Sequence, residues 1–94
     1  EPMLQVEALI ELSKEIKKRN LNIVLYSGYT YEQIISDVNK KRLLELCDML
    51  VDGKFELEKR SLSLLYRGSS NQRLINIQKS LKQDCIIEYD ESEI

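Results

Sequence analysis

The amino-acid sequence predicts an α/β fold with parallel strands, and three observations carry that expectation. Two short apolar runs, Ile23-Val24-Leu25 and Met49-Leu50-Val51, lack polar alternation, as strands covered on both faces of a parallel sheet do. A glycine, Gly28 or Gly53, breaks the chain soon after each run. Segments of helical periodicity precede both runs, which gives the rhythm of repeated βα units with right-handed crossovers.

Taken in order, the elements begin at Pro2, which suits the first turn of a helix because its missing N–H costs nothing there. Val6, Leu9, Ile10, Leu12 and Ile16 fall in one apolar stripe, with Glu7, Glu11, Glu15 and Lys18 on the other side. Glu15 stands four residues before Arg19, acid ahead of base, and Asn20 is a stop. Residues 22–27 read as the first strand. Thr30 and Gln33 make a capping box for a short helix that reaches about Val38. Lys40 to Leu46 continue as a second helical piece with Leu43, Leu44 and Leu46 inward, and the second strand follows between Asp48 and Asp52. After Phe55 the rhythm fails. Glu56 to Ser61 is charged and expected to be exposed, and Arg67 to Arg73, reading RGSSNQR, is a polar loop. Leu74 to Gln78 reads as a partly exposed strand, Cys85 to Tyr89 as another near the sheet edge, and Asp90 to Ile94 as an acidic tail.

With 94 residues, one domain spanning 1–94 is expected. Hydrophobic residues are 43% and charged residues 32%, values of an ordinary globular chain rather than a disordered one. A net charge of -2 gives no general attraction to nucleic acid or to an anionic membrane, so neither is an expected partner. No apolar run is long enough to cross a bilayer and no signal-peptide pattern opens the chain, so a cytoplasmic protein is expected. Histidine is absent, which removes a Ser–His–Asp triad and a Cys–His dyad. Cys47 and Cys85 stand alone, in no metal-binding spacing, and both are expected to be small buried apolar residues.

Ligands of parallel α/β sheets gather outside the carboxyl ends of the strands. Those ends read Tyr26-Ser27-Gly28-Tyr29-Thr30 and Asp52-Gly53-Lys54, and parallel strands put both on one edge. That edge offers hydroxyls, N–H groups beside glycines, one carboxylate and one ammonium, a set suited to a polar, zwitterionic or ribose-bearing ligand. The plainer reading makes Asp52-Gly53 a strand-ending turn and Tyr26 a core residue. In the loop, Arg67 and Arg73 flank Gly68, Ser69, Ser70, Asn71 and Gln72, a composition able to hold phosphate or carboxylate or to grip a partner's backbone. Its plainer reading is a solvated turn, with Asn71 and Gln72 bonding their own backbone. Chemistry alone leaves both pairs of readings open.

Three stretches, GYTYEQI, DMLVDGKFE and LLYRGSSNQRLINIQKSL, resemble in that order the signature stretches of anaerobic ribonucleoside-triphosphate reductase-activating proteins. The opening Glu1-Pro2-Met3-Leu4-Gln5 resembles the tail of that family's Gly-Gly-Glu-Pro motif. The resemblance implies the carboxy-terminal half of a partial (βα) barrel of the radical S-adenosylmethionine type, with an edge strand or two after an irregular loop. It also implies a parent that binds a 4Fe-4S cluster through CxxxCxxC and reductively cleaves S-adenosylmethionine. The resulting radical abstracts hydrogen from a glycine of the reductase large subunit, the cofactor doing the hard chemistry.

Residue by residue, the resemblance assigns Glu1 to the amino group of S-adenosylmethionine, and Ser27 and Gly28 to a strand-end contact with it. It matches Asp52 and Lys54 to an Asp-x-Lys pair, and gives RGSSNQR to the reductase-facing surface or to closure of the active site. The cluster motif, its glycines and the earlier strands are missing from these residues, so neither cluster nor S-adenosylmethionine is expected on this chain alone, and no activity either. Loss of those strands would expose a sheet edge that favours self-association. Readings of other classes are a non-catalytic module docking on a large reductase, and a generic phosphate-binding domain. The last is weakened by the lack of a glycine-rich loop between strand and helix.

Overall fold

The computed structural model describes residues 1–59, 67 and 69–90. Residues 60–66 and 68, and with them the end of the expected charged stretch and Gly68, lie outside the described residues, as does the tail beyond Asp90.

Glu1 decides how the chain starts. Its carboxylate accepts from the N–H of Met3 at 2.7 Å and caps a single 3-10 turn, Pro2–Leu4. Gln5 then takes an extended φ of -129°, so helix α1 runs over Val6–Lys18 rather than from Pro2. Its inward stripe is Ile10 and Ser13 with Val6, Leu9 and Ile16 at the margin, whereas Leu12 points to solvent. Lys17 near the end of α1 reaches Asp48, whose carboxylate also accepts from the N–H of Ile23 at 2.8 Å. One carboxylate thereby ties α1 to the entrances of two strands.

Strand β1 (Val24–Tyr26) pairs in parallel with β2 (Met49–Asp52), Leu25 opposite Leu50. Between them lie α2 (Tyr31–Ile35) and α3 (Val38–Leu44). The capping box of α2 is complete: Thr30 Oγ1 accepts from Gln33 N at 3.2 Å, and Gln33 Oε1 from Thr30 N at 2.9 Å. The Asp37 side chain caps α3, and Leu43 and Leu44 enter the core. The third strand, β3 (Arg73–Asn76), runs antiparallel to β2 with Asp52 opposite Arg73. The sheet order is β1-β2-β3, so the described strands form a mixed sheet in which only β1 and β2 are parallel. The geometry follows from the excursion after β2, which leaves and re-enters at the same end of that strand.

Four expectations are corrected here. All four residues of β2 are buried, but β1 is an edge strand with Val24 and Tyr26 at 41% and 50% exposure, so Tyr26 is not core. Leu74 and Ile75 of β3 are fully inside rather than partly exposed, and the strand stops at Asn76. There the Asn76 side chain accepts from Lys79 N at 3.1 Å and starts helix α4 (Ile77–Gln83), which the alternation of the preceding residues concealed. Residues 85–89 contribute one antiparallel bridge, Ile75 with Glu88, where a full strand was expected. Cys47 is buried and its Sγ donates to Leu43 O, but Cys85 is exposed on the turn after α4. The core around Leu50 and Ile75 packs under α1, α2 and α3, and Met49, Val51 and Leu74 form a second cluster on the opposite face with Tyr89. No helix among the described residues is long and apolar enough to cross a membrane.

Candidate functional site

Parallel pairing brings the carboxyl ends of β1 and β2 to one edge, as the sequence predicts. Ser27 N donates to Val51 O at 3.0 Å and Gly53 N to Tyr29 O at 3.2 Å, stitching the two ends together. The Glu1 carboxylate sits on this edge. It accepts from Ser27 Oγ at 3.1 and 3.0 Å and from Gly28 N at 2.6 Å. Across Gly28 runs the Lys54 side chain; a Cβ on that glycine would lie 3.4 Å from Glu1 Oε1 and 3.6 Å from Lys54 Cγ. A Cβ at position 28 would thus touch both side chains at van der Waals distance.

Two clefts open here and share Gly28, Gln33 and Lys54. One, of about 330 Å³, is lined also by Glu1 and Tyr29. The other, of about 480 Å³, extends over Gly53, Asp52 and Arg73 to Asn71 and Glu56.

Asp52 is 1% exposed, and both of its oxygens are engaged. Oδ2 accepts from the N–H of Tyr31 at 2.7 Å, which seats the first turn of α2 on the end of β2. Arg73 forks onto the same carboxylate, Nε to Oδ1 at 3.0 Å and a terminal nitrogen to Oδ2 at 2.5 Å. That nitrogen also reaches Glu32 at 2.6 Å. Hydrogen bonding to Asp52 pushes the Arg73 pKa further up, and hydrogen bonding from Arg73 holds the Glu32 carboxyl below its ordinary value. Asp52 thus meets the cleft through the guanidinium that covers it. Lys54, by contrast, makes no ion pair among the described residues.

The RGSSNQR stretch joins the same edge. Gln72 Nε2 donates to Gly53 O at 2.9 Å and Asn71 Nδ2 to Lys54 O at 2.7 Å. Ser69 is fully buried, Ser70 is exposed, and an Arg67 terminal nitrogen donates to Gln72 O at 3.2 Å. Both amides donate to the backbone of the β2 end, and Gln72 Oε1 also accepts from Ser69 N within the loop at 3.2 Å, so the plainer reading holds in part. Glu32, Gln33 and the Tyr31 N–H are members of the site that residue patterns did not single out. Their sequence signals are the Thr30–Gln33 capping box and their place in GYTYEQI, neither of which marks them as facing a ligand edge.

Among the described residues, no group of three or more His, Cys, Asp or Glu side chains could hold a metal ion. Cys47 is sealed in the core, where burial pushes its thiol up to about 11, and Cys85 lies on an exposed turn.

Residues 1–75 match a family model described as a 4Fe-4S single cluster domain. Three curated relatives bear the name anaerobic ribonucleoside-triphosphate reductase-activating protein. The Pasteurella multocida protein is 35% identical over 66 residues, 68% of this chain and 42% of that protein. The Haemophilus influenzae protein is 34% identical over 71 residues, 73% of this chain and 44% of that protein. The Vibrio cholerae protein is 36% identical over 69 residues, 71% of this chain and 43% of that protein. The chain spans less than half the length of the curated relatives it matches. No solved structure gives a significant match. A 4Fe-4S cluster takes several thiolates at close quarters, and one buried and one exposed cysteine do not fit that requirement.

Proposed function

Because this chain belongs to the 4Fe-4S single cluster domain family, we propose that it is part of an activase of anaerobic ribonucleotide reductase that reductively cleaves S-adenosylmethionine. In this reading residues 1–94 are the carboxy-terminal part of a radical S-adenosylmethionine barrel. Thiolates outside these residues hold the cluster, and the chain alone is inactive. S-adenosylmethionine, when bound, supplies the radical chemistry by which such activases take hydrogen from a glycine of the reductase large subunit.

The observation that carries the reading is the edge around Gly28. The Glu1 carboxylate and the aliphatic stem of Lys54 flank one glycine there, and Lys54 lines both of the adjoining clefts. That donor set fits the amino-acid end of S-adenosylmethionine. The Lys54 ammonium pairs with the ligand's carboxylate, and Glu1 accepts from its α-ammonium. Ser27 Oγ and Gly28 N hold the Glu1 carboxylate in place. Asp52 acts one layer back, fixing Arg73 and the start of α2.

The test is S-adenosylmethionine affinity of the full-length activase. Lys54→Ala and Glu1→Gln should each weaken binding about tenfold to a hundredfold, the cost of unpairing one charge of a bound zwitterion. Iron content should not change. Unchanged affinity in both variants would remove the edge from the cofactor site.

A further inference from the structure

Residues 53–56 leave β2 in neither helix nor strand, so their backbone polar groups need partners from elsewhere. Three side chains of the RGSSNQR stretch supply them in sequence. Gln72 takes the carbonyl of Gly53, Asn71 the carbonyl of Lys54, and the Ser69 hydroxyl accepts from the N–H of Glu56 at 3.2 Å. Two more bonds lock the loop, one between side chains and one from backbone to side chain. Ser69 Oγ donates to Asn71 Oδ1 at 2.6 Å, and Ser69 N donates to Gln72 Oε1 at 3.2 Å. Each amide turns its oxygen into the loop and its nitrogen onto the β2 end, and the serine hydroxyl donates and accepts at once. Side chains here do what a neighbouring strand's backbone would do.

We infer that Ser69, Asn71 and Gln72 are positioning residues that set where the Lys54 ammonium stands at the ligand edge. The inference rests on the reading of that edge as an S-adenosylmethionine site, and it gives the loop a role that needs no contact with the ligand. No ion pair among the described residues grips the Lys54 ammonium, so the backbone that carries Lys54 decides its reach. Gly53 enters that segment at a φ of 92°, and Asn71 Nδ2 and O each lie 3.9 Å from where a Cβ on it would be. The asparagine therefore holds both the turn and the residue after it. A four-carbon stem on a loose backbone would spread its charge over many positions, and a held Cα removes much of that freedom before the ligand arrives.

Two measurements decide it. In Ser69→Ala, amide hydrogen exchange at Glu56 should speed up by about tenfold or more, with exchange at Leu50 in the core unchanged. In the full-length activase, Asn71→Asp keeps the side-chain shape but turns an acceptor towards the Lys54 carbonyl. It should weaken S-adenosylmethionine binding about tenfold when Lys54 is present and less than about twofold in a Lys54→Met background, because its effect passes through Lys54. An equal loss in both backgrounds would overturn the inference, and so would unaltered exchange at Glu56 in Ser69→Ala. Failure of the unsubstituted protein to bind S-adenosylmethionine would instead sink the functional reading. The exchange result would then still decide whether the three side chains hold residues 53–56.

Discussion

Arg73, the first residue of β3, closes a two-pronged ion pair on Asp52, the last residue of β2, directly across the antiparallel register. The carboxylate is 1% exposed and the guanidinium side chain 28%. Asp52 thus depends on Arg73 to be tolerable inside the protein, while Arg73 keeps one side turned to the cleft and to Glu32.

Arg73→Ala should therefore lower stability by about 3–5 kcal/mol, the usual cost of leaving one member of a buried pair without its partner. Arg73→Lys should recover less than half of the loss, because a single ammonium cannot occupy both oxygens in one plane. Urea unfolding measures both, and a loss confined to tenths of a kcal/mol would contradict the burial of Asp52.

Glu32 gives the fold an acid-side dependence. Its folded pKa lies below the ordinary 4.5 because Arg73 hydrogen-bonds the charged form. Its contribution is complete above that ordinary value and is lost as the pH falls through the lowered folded one. Stability measured from about pH 6 down to about pH 3 should fall less steeply in Glu32→Gln than in the unsubstituted chain. Superimposable curves would dissociate Glu32 from Arg73.

The two thiols should behave differently. Under native conditions Ellman's reagent should modify Cys85 quickly and Cys47 only on unfolding, since Cys47 is enclosed and its thiol is pushed up to about 11. The raised value also means that the stabilising contribution of the neutral thiol is complete below the ordinary 9.0 and fades as the pH climbs through 11. Cys47→Ala should flatten that alkaline decline. Rapid labelling of both thiols in the native protein would contradict this placement.

Arg67 tests whether the loop faces the reductase. Its terminal nitrogen braces the carbonyl of Gln72, next to the amide that grips Gly53. In the full-length activase, Arg67→Ala should reduce glycyl-radical yield on the reductase, read by electron paramagnetic resonance. Reductant-driven formation of 5′-deoxyadenosine should continue. If both activities fall together with the fold intact, Arg67 acts with Ser69, Asn71 and Gln72 on the cofactor site rather than on the partner. If neither falls, Arg67 only braces a turn.

Local chemistry was legible in the sequence. The Thr30–Gln33 capping box and the inward Leu43 and Leu44 depend on neighbours a few residues apart, and the parallel pairing of the two apolar runs followed from the helical segments between them. The signature stretches likewise led to the relatives that the comparisons return. Long-range register was not legible. Nothing near Asp52 announces that Arg73 will sit opposite it, so a carboxylate expected at the ligand edge proves to be covered by a residue twenty-one positions away. Helix α4 escaped notice because Leu74 and Ile75 look like the start of a longer strand, and only the Asn76 cap marks the change. Cys85 looked apolar by residue type, but its place on the turn after Asp84, with φ at 54°, turns it outward.

The excursion that leaves β2 at Asp52 and rejoins the sheet at Arg73 is fastened at its feet, by one ion pair and three side-chain bonds to backbone. Doubling the number of residues in such a span adds only about 0.6 kcal/mol of closure entropy. The contacts at the two feet therefore hold the strand ends together against a closure cost that depends little on how many residues lie between them.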